Sequence, residues 1–215
     1  MGMMLPKPVM SAIHERGGNI NFRYGSSCVN GFRENMEDAH LTYFKENWAF
    51  FGVFDGHVND HCSAFLEKEW HNVLQTLPVP ITDERMKEVT LAVDKKYIDE
   101  GPTGGSTGTF FIAMKEGNDV KLQIGNVGDS RVLVADTEGK CHFLTFDHKP
   151  TVDAERDRIE KCHGYVDAGR VNGSLAISRA FGDADYKRGP GGQLEQQVIA
   201  LPDITHCTVP HGVTP

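Results

Sequence analysis

Asp55-Gly56-His57 closes the apolar run Trp48-Ala49-Phe50-Phe51-Gly52-Val53-Phe54, and Glu37-Asp38 lies one strand-length upstream. An apolar run bounded by turn residues reads as a buried strand, which makes Asp55 a carboxylate fixed at a sheet edge. The glycine after it frees a backbone carbonyl to approach a ligand. Converging acids that offer only oxygen are how a protein holds a hard cation, here Mg²⁺ or Mn²⁺. Taken singly, each piece has a plainer reading. Glu37-Asp38 would be solvated turn acids, Asp55-Gly56 a hairpin turn and His57 a surface imidazole. Arg33 would be a surface cation, Gly128-Asp129-Ser130 a β-turn and Asp147-His148-Lys149-Pro150 an ordinary loop.

The elements that must position these groups follow from periodicity. Residues up to Gly18 read as a flexible leader, and residues 21–28 and 39–44 as strands separated by Asn30-Gly31. After the strand at 48–54, Asn59 is placed to cap a helix with the apolar stripe Cys62, Phe65, Leu66, Val73, Leu77, which Pro78 and Pro80 end. Thr82, followed by Asp83 and Glu84, opens a second helix with Met86, Val89, Val93 and Tyr97 on one face, stopped by Gly101-Pro102. The period then shortens: residues 109–114, 120–127, 131–135 and 141–145 predict an antiparallel meander with tight turns. A third helix is expected over 153–162, closed by Gly164 in a left-handed conformation. Strands, two helices and more strands together predict an α+β domain.

At 215 residues the chain is long enough for one domain with a substantial core. A formal net charge of −8 and no basic stripe argue against nucleic acid as a partner. The 5 cysteines are odd in number and lack CxxC spacing, which fits reduced thiols and a cytoplasmic or nuclear setting. No signal peptide or membrane-spanning run is visible. Gly2 follows the initiator Met, but Pro6 stands where the acylation pattern wants Ser or Thr, so a membrane partner is expected only if Gly2 is acylated.

Several motifs occur in one order: Gly31-Phe32-Arg33, Met36-Glu37-Asp38-Ala39-His40, Val53-Phe54-Asp55-Gly56-His57 and Gly105-Ser106-Thr107. They continue as Asn126-Val127-Gly128-Asp129-Ser130-Arg131, Asp147-His148-Lys149-Pro150 and Glu155-Arg156-Asp157-Arg158-Ile159. The series ends with Arg170-Val171-Asn172-Gly173-Ser174-Leu175-Ala176-Ile177-Ser178-Arg179-Ala180-Phe181-Gly182-Asp183. In this series the chain resembles the metal-dependent (type 2C, PPM family) serine/threonine protein phosphatases. The resemblance implies an α+β fold of four layers, two packed β-sheets between helices. It also implies a leader at 1–18, a catalytic domain at 19–215 and a monomer.

The same resemblance implies hydrolysis of phosphoserine and phosphothreonine in proteins. Two dications would neutralise the phosphate and turn a bridging water into the attacking hydroxide. Asp55 matches the residue bridging the metals, Glu37 and the Gly56 carbonyl bind one of them, and Asp38 orients its water. Asp129 matches a ligand of a third, weaker metal. Arg33 matches the phosphate-binding arginine, and His57 the acid that protonates the departing oxygen. No phosphoenzyme is implied.

Three departures from the family pattern stand out. Asn59 replaces a common glycine, and Gly108 and Thr109 replace small apolar residues. After Asp185 only Glu195 and Asp203 remain as acids, and neither sits in the two later metal-binding Asp motifs of the family. The domain is therefore expected to be incomplete at its C-terminus, with weak metal binding and little activity. A catalytically incomplete fragment or a phosphatase-like binding module is the competing reading. Gly104-Gly105-Ser106-Thr107-Gly108 also satisfies a serine-hydrolase elbow, but a helical pattern precedes it and a β-prone run follows, the reverse of what that elbow needs. Zinc at Cys162-His163 or His61-Cys62 lacks ligand spacing.

Overall fold

A computed structural model gives the fold and describes residues 4–136 and 138–209. Gly2 and the segment from Pro210 onward lie outside the described residues. The elements are β1 (Met4–Gly18), β2 (Arg23–Arg33), β3 (Asp38–Phe44), β4 (Trp48–His57), α1 (His61–Thr76), α2 (Asp83–Glu100), β5 (Gly105–Ser106) and β6 (Gly108–Glu116). They continue with β7 (Asp119–Val127), β8 (Leu133–Ala135), β9 (Cys141–Leu144), α3 (Asp153–Lys161), β10 (Val166–Asp167), β11 (Arg170–Val171), β12 (Phe181–Gly182) and β13 (Asp203–Val209).

The apolar run that opens the site is β4, the centre of the principal sheet. It pairs antiparallel with β3 on one side and β6 on the other, and β7 and β13 continue the sheet beyond β6. At its last residues β4 turns to a different partner: Gly56 faces Ser106 and His57 faces Gly105 of β5, which in turn pairs with β12.

Strand alternation sends successive side chains to opposite faces. Phe50, Phe54, Phe110 and Ile112 form one core with the helices α1 and α2. Ala49, Ala113, Leu122 and Ile124 form a second core with Phe22 and Val132. In the first core Trp70 of α1 lies against Phe50 (5.4 Å between centroids) and Phe110 (4.8 Å), so the aromatic layer locks helix to sheet.

The expected α+β class holds. Beside the principal sheet, the described residues form three two-stranded ribbons, β1–β2, β8–β9 and β10–β11. Phe22, just before β2, together with Val134 and Phe143 of the second ribbon, packs on the far face.

The helices form much as their sequence signals require. Thr82 Oγ1 accepts the Arg85 amide (3.2 Å) at the start of α2, Asp83 and Glu84 occupy its first turn, and Gly101 ends it at φ 81°. Thr82→Ala is expected to cost about 1 kcal/mol in urea unfolding with the fold unchanged, because it removes that one acceptor. No helix among the described residues is long and apolar enough to cross a membrane.

Four local expectations are corrected. Residues 4–18 are not a flexible leader: Met4–Gly18 is a strand paired with β2 from Met4↔Arg33 to Gly18↔Arg23. Asn30-Gly31 is not a turn between strands, since β2 runs through it, with Gly31 at φ 58° beside an irregularity in the pairing. Asp60, not Asn59, is the residue at the start of α1; Asn59 Oδ1 instead accepts the His61 amide (3.0 Å). At the end of α3 the left-handed residue is His163 (φ 62°), not Gly164. Gly164 is needed there for space, because a Cβ on it would lie 2.9 Å from Ile159 Cγ2.

Candidate active site

The β3–β4 register places Asp38 directly opposite Asp55. Glu37, one residue before the strand, accepts the Gly56 amide through its carbonyl (3.1 Å) and the Ser63 hydroxyl (2.5 Å). A Cβ at Gly56 would sit 2.4 Å from that same carbonyl, so only glycine allows the two chains to approach this closely. Arg33, at the end of β2, reaches the same rim. Its guanidinium lies 3.8 Å from the Glu37 carboxylate and is 68 % exposed, free to turn toward a ligand.

Thr107 clamps Asp55 by two bonds. Its hydroxyl accepts the Asp55 amide (3.1 Å) and its own amide donates to the Asp55 carbonyl (2.9 Å). The same hydroxyl shares a hydrogen bond with Ser130 (2.6 Å), tying the Gly128-Asp129-Ser130 turn to the end of β4. The neighbouring Ser106 is fully buried in β5 and bonds the Thr107 carbonyl (2.7 Å). It sits on no strand-to-helix elbow, so the serine-hydrolase reading has no geometric basis.

Asp129 faces this cluster and is engaged by the Lys149 ammonium. The Asp147-His148-Lys149-Pro150 segment is thus no ordinary loop. His148 Nδ1 accepts the Gly128 amide (3.0 Å), its amide donates to the Gly128 carbonyl (3.0 Å), and Asp147 holds Arg131 through two bonds of 2.7 and 2.9 Å.

Crowding of acids shows in the protonation behaviour. Burial, the facing Asp38 charge, the hydrogen bond that protonated Asp55 donates to Asp38 and the charge of Asp129 push Asp55 up to about 6; His57 works against them. For His57 burial favours the neutral ring. The hydrogen bond to Asp183 and the charges of Asp183, Asp55 and Glu37 outweigh that and raise its pKa. His57 Nε2 and Asp183 Oδ2 are 2.7 Å apart.

Glu37, Asp38, Asp55, Gly56, His57 and Arg33 therefore meet at one end of β4, with Asp129 joined to them through Thr107 and Ser130. Sequence reasoning missed Thr107, Lys149 and Asp183. Gly182-Asp183 was visible at the end of the longest motif, but nothing local ties it to His57.

The donors in this cluster are carboxylate and carbonyl oxygens, the set a hard cation selects, and the raised Asp55 pKa marks a surplus of negative charge that a dication would relieve. Among the described residues no group of three or more His, Cys, Asp or Glu side chains is arranged to hold a metal ion by itself. The residues fit one Mg²⁺ or Mn²⁺ that keeps much of its water, since Mg²⁺ is commonly held by one or two carboxylates.

An antiparallel sheet backed by two helices thus carries paired carboxylates, a guanidinium and an imidazole at one strand end. Residues 22–211 match the sequence pattern of the Protein phosphatase 2C family, and the chain belongs to that family. It is 34% identical over 232 residues to Protein phosphatase 2C homolog 2 of Schizosaccharomyces pombe, covering 100% of this chain and 60% of that protein. To Protein phosphatase 2C homolog 2 of Saccharomyces cerevisiae it is 33% identical over 220 residues, covering 95% of this chain and 47% of that one. The chain thus spans about half to three fifths of the length of these relatives. A crystal structure of a phosphatase from Toxoplasma gondii superposes with a TM-score of 0.77 at 25% identity, over 95% of this chain and 74% of the other.

Proposed function

We propose that this chain carries the hydrolytic site of a metal-dependent phosphatase acting on phosphoserine and phosphothreonine in proteins. The observation that carries the reading is the Asp38–Asp55 register pair, crowded enough to hold Asp55 at about 6, beside an exposed guanidinium and a bonded imidazole. Arg33 binds the phosphate oxygens through its planar fork, leaving its loose contact with Glu37. Asp55, Glu37 and the Gly56 carbonyl would hold the cation, with Asp38 orienting its water and Asp129 serving a weaker ion once Lys149 lets go. When bound, Mg²⁺ or Mn²⁺ supplies positive charge against the phosphate dianion and acidifies water. His57 gives its proton to the departing serine or threonine oxygen.

The test is Mn²⁺-dependent hydrolysis of a phosphoserine peptide, with a chelator control. Turnover that survives chelation would sink the reading. Arg33→Ala is expected to raise KM about 10- to 100-fold, the worth of a lost charge-assisted hydrogen-bond pair, with a smaller change in kcat.

The short donor set favours a second reading, a phosphatase-like binding module. A folded chain that binds the phosphopeptide through Arg33 without cleaving it would establish that alternative.

A further inference from the structure

Asp183 stands apart from the acids that face the cation. Its carboxylate is nearly buried, with 7% side-chain exposure, and it points at the one imidazole of the site. The backbone does unusual work to put it there. Asp183 adopts a left-handed conformation (φ 52°), which non-glycine residues rarely enter and which Asp tolerates better than most. Its amide donates to the Gly104 carbonyl (3.0 Å).

The residue before it is held still more firmly. Gly182 pairs with Gly105 and donates its amide to Asp94 Oδ1 (2.8 Å). Asp94 and Lys187 form a buried ion pair at 2.8 Å, and Lys187 also donates to the Ala180 carbonyl (2.8 Å). Between the two functional groups runs β5. A Cβ on Gly105 would meet Asp183 Oδ2 at 2.4 Å and His57 Nε2 at 2.6 Å, so glycine at that position is what lets carboxylate and imidazole touch across the strand. Left-handed strain, a buried anchor pair and an obligatory glycine all converge on one hydrogen bond.

We propose that Asp183 is a positioning residue for His57: it locks the neutral ring in the Nε2–H tautomer and leaves Nδ1 as the nitrogen that exchanges a proton with the substrate oxygen. An ionised carboxylate only accepts hydrogen bonds, so its partner nitrogen must be the donor. An imidazole so held cannot rotate to offer Nε2 to the substrate. The step at substrate is then balanced simply. Nδ1–H of the imidazolium transfers its proton to the leaving oxygen as the P–O bond breaks, and the ring is left as the Nε2–H tautomer, still bonded to Asp183. The inference rests on His57 acting as the acid in the proposed hydrolysis, but the tautomer itself does not.

The deciding experiment is long-range ¹H–¹⁵N NMR of the histidine side chains in the full chain, with the His57 signals assigned by their loss in His57→Gln. At a pH high enough to leave the ring neutral, the wild type is expected to show His57 protonated at Nε2 alone. Asp183→Asn keeps a residue suited to the left-handed position and is expected to give a tautomer mixture. A neutral wild-type ring protonated at Nδ1 alone, or already averaged between tautomers, would overturn the proposal.

A second readout compares substrates. An alkyl leaving group needs a proton and an aryl oxide does not, so Asp183→Asn should lose about tenfold more rate on a phosphoserine peptide than on p-nitrophenyl phosphate. Equal losses would reduce Asp183 to a purely structural residue and overturn its role. If the wild type shows the Nε2–H tautomer but turns over neither substrate, the positioning stands and the hydrolytic reading falls.

Discussion

Asp55→Asn is expected to abolish metal-dependent hydrolysis and, in the same protein, to stabilise the metal-free chain above pH 6. The activity loss follows from removing the central carboxylate of the cluster. The stability gain follows from linkage. Asp55 is pushed up to about 6 in the folded chain from the ordinary aspartate value of 3.8. Between those two values the folded state holds more protons than the unfolded state, so stability falls as pH rises through the window. Above it the full penalty of an ionised carboxylate facing Asp38 is present; below 3.8 there is none.

A shift of that size corresponds to at most about 3 kcal/mol, and screening at this solvent-facing position leaves on the order of 1 kcal/mol. Thermal unfolding in a chelator should therefore show the Asn variant melting a few degrees higher near pH 7.5 and level with wild type near pH 3.5. A variant less stable than wild type at the higher pH would mean that Asp55 is not under electrostatic pressure. Added Mn²⁺ should reverse the ranking, since only wild type gains from binding.

Glu155→Ala carries the largest expected loss of stability, about 3–5 kcal/mol. Glu155 is 3% exposed and every lone pair of its carboxylate is used. Oε1 accepts from Arg179 at 3.0 and 2.8 Å, and Oε2 accepts from Arg158 (2.8 Å) and the Ser178 hydroxyl (2.6 Å). Burial alone would raise its pKa, but the Arg179 and Ser178 hydrogen bonds and the charges of Arg158 and Arg179 overrule it and hold it below the usual value.

Alanine would leave the Arg158 guanidinium without its carboxylate partner and Arg179 with only the more exposed Asp203 (2.8 Å). Glu155→Gln, which keeps the shape and part of the hydrogen bonding, should cost less. Urea unfolding midpoints rank the three proteins, and an alanine variant within about 1 kcal/mol of wild type would show the network to be dispensable. Because the folded pKa is depressed, this contribution is complete above the ordinary glutamate range and is lost as pH falls below it.

The grouping of Asp38 with Asp55 at the end of β4 was legible in the sequence because it is local. A strand of apolar alternation ending in Asp-Gly-His, with acids one strand earlier, contains its own geometry: antiparallel pairing of neighbours puts Asp38 against Asp55. Asp183 was not legible in that way. Its meaning arises only when β12 reaches β5, and no pattern in residues 180–185 refers to His57.

The long first strand was missed for a related reason. Pro6, Pro8 and the closing Gly17-Gly18 disfavour a strand, yet β2 pairs with this segment, and pairing in context outweighs local propensity. The helical stripe was read through Cys62 and Leu66, both fully buried, but Trp70 and Leu74, fully buried on the same face, were left out of it. The α+β class followed from the order of elements, whereas the separate two-stranded ribbons had no signature in composition or period.

His57 and Asp183 are separated by 126 residues, and the two-residue strand β5 bridges β4, which ends at His57, and β12, which Asp183 follows. Contacts so distant along the chain repay their loop-closure entropy late in folding, after the hairpins around β4 have formed. The grip on a phosphate and the delivery of a proton thus have different thresholds along the path to unfolding. A chain that has let β12 slip keeps its guanidinium and paired carboxylates while its imidazole swings free. On the proposed function, such a molecule is expected to capture phosphoprotein, hold it, and release it unchanged.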